Sequence, residues 1–319
     1  GAGADSVVVT GSLQGATIDF GAGDEKFTLS VGASSASIAG GSGNDTFVVT
    51  GSDLYTASTI VGGADNDSVS FGGAMSGGLV AGGSGNDTLN FSAAVNNGAS
   101  VSGGAGSDYL LFSSTVSAAS IAGGTGNDSF SFGAAVNNST VDFGAGSDTV
   151  TFSVAATSST ILGGDAADTL VFNTGSTLKN TSVNAGGGND YLSFSAAVFS
   201  TSTVAGGAAN DTFVFQTSVA GAVISMGAGN DSVSFVTQVS SATLYGAGGA
   251  TDTQTVVFTD AADSALFTGG IGGGNVSLNG GDDNITFSAA GVTGTTITGT
   301  ANADTIHFIA GQNTVVFDS

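Results

Sequence analysis

The chain has 319 residues, with 25 acids against two lysines, no arginine and one histidine, for a formal charge of −23; 55 residues are glycine, and proline, cysteine and tryptophan are absent. This balance excludes nucleic acid as a partner, since phosphates call for lysine and arginine, and it excludes disulfides or a thiolate metal site. It also excludes a disordered glycine-rich linker, because 40% of the chain is hydrophobic and phenylalanine occurs 21 times.

The chain opens on Gly1-Ala2-Gly3-Ala4-Asp5, with no initiator methionine, no signal peptide and no apolar run of membrane-spanning length. A processed form or a piece of a longer array is expected. From there a glycine turn ending in an acid recurs along the whole sequence. The acids are Asp5, Glu25, Asp45, Asp67, Asp87, Asp108, Asp128, Asp148, Asp168, Asp190, Asp211, Asp231, Asp252, Asp283 and Asp304. Steps between them are 20 to 22 residues, except the 31 from Asp252 to Asp283. A fixed period of this size marks a solenoid.

An apolar residue follows each acid by two positions and, in most turns, a phenylalanine by four, as in Val69/Phe71, Leu89/Phe91, Phe130/Phe132, Leu170/Phe172 and Ile285/Phe287. Alternation with period two predicts a strand with one buried face. An aliphatic residue seven before the acid marks a second strand: Ile18, Ile38, Ile60, Val80, Val101, Ile121, Val141, Ile161, Val183, Val204, Ile224, Val276 and Ile297. Between the strands lies a plain turn such as Ala93-Ala94-Val95-Asn96-Asn97. Neither strand buries its apolar face alone, so successive coils must stack, with ladders of phenylalanine and of valine or isoleucine as the core. The expected fold is all-β: a right-handed parallel β-solenoid, β-roll-like, of about 15 coils. Each coil would hold two short strands and one glycine turn, in a rod of roughly 70 Å at about 4.8 Å per coil. Residues 1–319 form one continuous solenoid on this reading. The stretch 251–275, containing Asp260, Asp263 and Gly269-Gly270-Ile271-Gly272-Gly273-Gly274, breaks register and is expected to be an extruded insertion.

The turn reads Gly-Gly-Ser-Gly-Asn-Asp at 40–45 and 82–87, Gly-Gly-Thr-Gly-Asn-Asp at 123–128 and Gly-Ala-Gly-Asn-Asp at 227–231. With the apolar residue that follows, these resemble the nonapeptide of the repeats-in-toxin family, the hemolysin-type calcium-binding repeats. The resemblance implies calcium held between successive turns. The residue types agree: glycine lets the backbone turn its carbonyls to a common point, and calcium takes six to eight hard oxygens. Stacked carboxylates about 5 Å apart would repel, and an intervening cation removes that cost. Family members carry the motif on both edges, whereas here one edge is plain. A single calcium column is therefore expected, ligated by the fifteen acids above. Departures stand at Glu25, with Asp24 and Lys26 beside it, at Asp65, Ala166 and Ala209, which replace the glycine two before the acid, and at the last turn, where Ala303 directly precedes Asp304.

His307 falls at an outward strand position with no nucleophile or carboxylate arranged around it, so no enzyme is expected. The last residues, Thr314-Val315-Val316-Phe317-Asp318-Ser319, read as a pre-turn strand, leaving a whole number of coils and no polar cap. Uncapped solenoid ends predict continuation into further repeats or head-to-tail or lateral association with other copies. The leading expectation is a secreted structural protein of the extracellular cell surface, such as a surface layer, fibre or adhesin rod. It resembles the repeat-rich surface proteins of Gram-negative bacteria and cyanobacteria, for which calcium-free export and folding outside are implied. The alternative is a calcium-driven folding and secretion module of a toxin, protease or lipase. A weaker third reading is an ice- or carbohydrate-binding face, such as one for a cell-surface glycan, from outward Ser129/Ser131, Thr149/Thr151 and Ser232/Ser234. Tyr109, Leu111, Val171, Tyr191 and Val214 interrupt that array.

Overall fold

The structure, a computed structural model, describes residues 1–51, 54–55, 57–175, 177–199, 201–246, 252–268, 271, 273–288, 293–299, 302–309 and 312–317. It is an all-β parallel β-solenoid of about 14 coils. Among the described residues there is no helix, so none is long and apolar enough to cross a membrane. Two compact units divide the chain, one of Gly1–Val154 with Ser158–Gly164 and one of Ala155–Thr157 with Asp165–Ser319.

In the first unit each coil begins with a four-residue strand after the acid. Ser68–Phe71, Thr88–Phe91, Tyr109–Phe112 and Ser129–Phe132 pair in parallel and in register, forming one wall. Their alternation is the expected one: Phe130 and Phe132 are buried while Ser129 and Ser131 face outward, partly exposed. The second wall is made of six-residue strands such as Leu79–Ser84, Ser100–Ala105 and Ser120–Thr125, whose last residues already belong to the glycine turn. Its Val80, Val101 and Ile121 are buried against the first wall.

The plain turn is more ordered than its sequence suggests. Val95–Asn96, Val116–Ser117 and Val136–Asn137 form a third parallel strip, so each coil has three strands and not two. The valine of each strip residue pair is buried and closes the core at that corner. A left-handed residue ends the strip in every such coil, with φ of 55° at Asn97, 50° at Ala118 and 49° at Asn138.

The phenylalanine ladder is the main apolar element. Phe71, Phe91, Phe112, Phe132 and Phe152 stack with centroids 5.3, 5.1, 5.0 and 4.8 Å apart and planes within 15°. Burying each ring contributes about 2–3 kcal/mol, and each stacked pair about 0.5–1.5 kcal/mol more. The in-register parallel pairing is what forces identical side chains onto one another.

The second unit repeats the pattern through Phe172, Phe194, Phe215, Phe235 and Phe258, at 4.9, 4.8, 5.2 and 5.4 Å. There it departs from expectation. The stretch 251–275 is not an extruded loop: Thr255–Val257 continues the first wall after Ser232–Phe235, and Ser264–Phe267 continues the second after Ala242–Tyr245. Val256, Phe258, Ala265, Phe267 and Ile271 are buried. Thr251, Gly269, Gly270 and Gly272 of this stretch lie outside the described residues. Beyond it the strands exchange walls. Asn275–Asn279, which precedes an acid, pairs with Thr255–Val257 in the first wall. Asn284–Phe287, which follows one, pairs with Ser264–Phe267 in the second. The ladder crosses over with them: Phe258 meets Phe267 edge to face at 81°, and stacking resumes through Phe287 and Phe308. The 31-residue step is thus one coil and a half.

Candidate metal centre

From Glu25 to Asp231, each glycine turn places its acid just before a first-wall strand, side chain buried. Asp45, Asp67, Asp87, Asp108, Asp128 and Asp148 of the first unit are at most 2% exposed. One oxygen of each is accounted for. The backbone N–H of one acid donates to Oδ1 of the acid one coil later: Glu25 to Asp45 at 2.8 Å, Asp45 to Asp67, Asp67 to Asp87 and Asp87 to Asp108 at 2.7 Å, Asp108 to Asp128 at 2.8 Å and Asp128 to Asp148 at 2.6 Å. In the second unit Asp168 donates to Asp190, Asp190 to Asp211 and Asp211 to Asp231 at 2.8, 3.0 and 2.9 Å.

The other oxygen is not accounted for by the protein. Oδ2 of Asp45, Asp67, Asp87, Asp108, Asp128, Asp190, Asp211 and Asp231 is buried without a hydrogen-bond donor, as are both carboxylate oxygens of Glu25. Burying even one such group costs several kcal/mol unless a donor or a cation meets it. The cost is visible in the acids themselves. Burial raises Asp67, Asp190 and Asp211 to about 7 and Asp87 and Asp128 to about 6, with neighbouring carboxylates adding to it. Glu25, Asp108 and Asp231 are raised by the same cause.

Backbone carbonyls stand beside these oxygens. Next to Gly82, Asp87 Oδ2 and the Gly103 carbonyl of the following coil lie 2.2 and 2.6 Å from where a Cβ would stand. The same pair recurs beside Gly62, with Asp67 Oδ2 and the Gly82 carbonyl at 2.2 and 2.6 Å. One residue on, Gly124 adopts a φ of +120°, and a Cβ there would sit 1.8 Å from the Gly104 carbonyl oxygen of the preceding coil. The cradle is thus rich in hard acceptors and short of donors. Among the described residues no three His, Cys, Asp or Glu side chains converge, so any ion here rests on carboxylate and carbonyl oxygens together. That donor set fits calcium.

The fifteen acids named from the sequence do not all occupy this environment. Asp5 is exposed, 4.0 Å from the terminal ammonium. Asp252 is a correction: the rung after Asp231 is taken by Gln254, whose carbonyl accepts the N–H of Asn275 as each acid's carbonyl does in other coils. Asp252 stands two residues earlier and is only half-buried, because Thr253 aligns with Asn230 and carries Gln254 into the acid's place. Asp283 and Asp304 do form a rung, with Asp283 N–H donating to Asp304 Oδ1 at 3.2 Å, and both keep a buried Oδ2 without a donor. Burial raises Asp283 to about 6. Since the strands have exchanged walls, these two acids lie on the edge that carries plain turns in the earlier coils of this unit. The expectation of a single column of acids fails there for that reason. At the imperfect turns, Asp65 and Ala209 adopt the glycine conformation themselves, with φ of 76° and 77°.

Sequence reasoning missed the residue before the acid. Asn66 N–H donates to Asn44 Oδ1 at 3.0 Å, Asn86 to Asn66 at 2.6 Å, Asn210 to Asn189 at 2.9 Å and Asn230 to Asn210 at 2.7 Å. This outer row reaches back one coil, opposite in sense to the acid row. The repeated Asn-Asp dipeptide was its signal. His307, as expected, is exposed.

No protein-family model matches the chain, and no curated protein does. Among solved structures it is similar to a hyperactive, Ca2+-dependent, β-helical antifreeze protein from an Antarctic bacterium, at 25% identity and a TM-score of 0.55, over 90% of this chain and 80% of that one. The likeness is to a Ca2+-dependent β-helix, and this chain's own turns bring backbone carbonyl oxygens beside buried carboxylate oxygens that lack donors.

Proposed function

We propose that this chain is a calcium-binding structural protein of the cell exterior, a unit of a surface layer, fibre or adhesin, and not an enzyme. The observation that carries the calcium reading is the row of buried carboxylate oxygens without donors, repeated coil after coil. Calcium in this role folds and stiffens the solenoid by joining each glycine turn to the next. The Ca2+ dependence named for the similar antifreeze protein supports the choice of ion. Many oxygen sites of this kind suit the exterior, where modules bind calcium at about 10⁻⁴–10⁻³ M. The structural role is supported by the uniform outer surface, mostly small hydroxyl and amide residues with two lysines in the chain. Copies of the chain, laterally or end to end, are the proposed partners, with a cell-surface glycan as the anchor.

Electron microscopy with calcium and with chelator tests this reading. Ordered filaments or sheets that dissolve on chelation support it. Monodisperse particles in calcium would overturn it in favour of a folding module for a larger secreted toxin, protease or lipase. A second reading, ice binding, draws on the similar structure being that of an antifreeze protein and on the registered outward pairs Ser129↔Thr149 and Ser131↔Thr151. Exposed Tyr109 and Tyr191 break those rows. Thermal hysteresis in calcium decides it.

A further inference from the structure

The second unit contains a place where the ion-binding edge changes sides. On the first edge the acid row ends with Asp211 N–H donating to Asp231. The next rung is Gln254, fully buried, and its amide Nε2 donates to the Gly229 carbonyl of the preceding coil at 2.8 Å. A neutral side chain with its own donor thus reaches back into a gap where earlier turns bring a second carboxylate. One coil later the rung falls on Gly274, with no side chain, and the buried, apolar Ile271 lies against it.

On the opposite edge a new row begins within the same coil. Asp263 accepts from Val239 N–H at 2.7 Å through Oδ1, and from Thr259 N–H and Oγ1 at 3.0 and 2.9 Å through Oδ2. Both of its carboxylate oxygens thus have protein donors, unlike those of Asp211, Asp231 and Asp283. Its N–H then donates to Asp283 Oδ1 at 2.8 Å, and Asp283 and Asp304 again carry a buried Oδ2 without a donor.

Resting on the calcium reading above, we infer that Gln254 terminates the first calcium column, its amide replacing the ion, and that a second column runs on the opposite edge beside Asp283 and Asp304, started by the self-capped Asp263. Both closures remove the unmatched charge that calls for a cation: Gln254 is neutral, although its Oε1 stays buried without a donor, and Asp263 has protein donors on both carboxylate oxygens. The edge change is what the half-coil offset requires, because the two walls exchange roles while the chain direction stays the same.

The test is the Gln254→Glu variant, with calcium counted by equilibrium dialysis and unfolding followed in calcium and in chelator. Replacing the donor amide by a carboxylate puts it against the Gly229 carbonyl with Asp231 in the same gap, so the variant should bind one more calcium per chain. It should also depend on calcium more steeply than the parent. An unchanged count with unchanged stability in chelator would overturn the terminator role. A parent chain that binds no calcium would instead remove the reading on which this one rests. Should the variant fail to fold, anomalous scattering from crystals of the parent in calcium keeps the question open to refutation. Ions beside Asp283 and Asp304 and none beside Gln254 support the inference, and an ion beside Gln254 overturns it.

Discussion

Gly124 is the position where a single methyl group tests the architecture of the glycine edge. A Cβ there would stand 1.8 Å from the Gly104 carbonyl oxygen and 2.8 Å from its carbon, on a backbone at φ +120°. Both faults are backbone faults, which no rotamer change relieves. Strain at such a φ costs about 1–3 kcal/mol, and forcing the coils apart about 1–3 kcal/mol more. Gly124→Ala should therefore lose about 2–6 kcal/mol and weaken the response to calcium, since its Cβ would press on a carbonyl of the neighbouring coil. Gly98 supplies the control: its φ is +80°, it is exposed, and a Cβ would meet nothing within 4 Å. Gly98→Ala should cost about 1–2 kcal/mol of conformational strain, with the calcium response intact. Urea unfolding in calcium and in chelator reads both terms. Equal losses for the two variants, or a full calcium response in Gly124→Ala, would refute the view that the glycine column keeps the gap clear.

The acids predict a pH dependence. Folded Asp67, Asp190 and Asp211 titrate near 7 and Asp87, Asp128 and Asp283 near 6, above the ordinary carboxylate value of 3.8. Their contribution to the calcium-free fold is then complete below about pH 4 and lost as pH rises through about 6–7. Thermal unfolding in chelator should fall over that window, while calcium binding at about pH 6 should release protons, seen as buffer-dependent titration heats. Phe112, fully buried between Phe91 and Phe132, should cost about 3–5 kcal/mol as Phe112→Ala in chemical denaturation. Ala118 holds a left-handed φ of 50° where Asn97 and Asn138 stand in neighbouring coils. Ala118→Asn should stabilise the protein by about 0.5–1 kcal/mol, visible as a higher unfolding midpoint.

Much of this fold is legible in the spacing of a few residue types. The acid, the apolar residue two beyond it and the phenylalanine four beyond it place the first wall, the glycine turn and the core ladder. The third strip is not legible, because two residues such as Val95–Asn96 are too short to show an alternation. The exchange of walls is hidden for a different reason. Both walls are built from period-two strands, and a glycine turn fits either edge, so the local pattern around Asp283 looks the same as that around Asp231. Only distances reveal the change: Asp263 stands 20 residues before Asp283, and 31 is one coil plus a half. Gln254 could not be read as a rung, since Asp252 two residues earlier satisfied the spacing and a glutamine carries no charge to attract attention.

The outer row of asparagines gives the acidic edge a property the carboxylates alone would not have. Asn44, Asn66 and Asn86 bind coil to coil through neutral amides, with no stake in whether a cation is present. Because Asn hydrogen bonds point to the preceding coil and Asp hydrogen bonds to the following one, each turn is held from both sides. On the proposed calcium reading, withdrawing the ion would act on the charged row and leave the neutral row in place. Calcium would then govern how tightly neighbouring coils close, while the asparagines govern which coil faces which. A chain loosened by chelation should keep its alignment and return to the same closed state when the ion comes back.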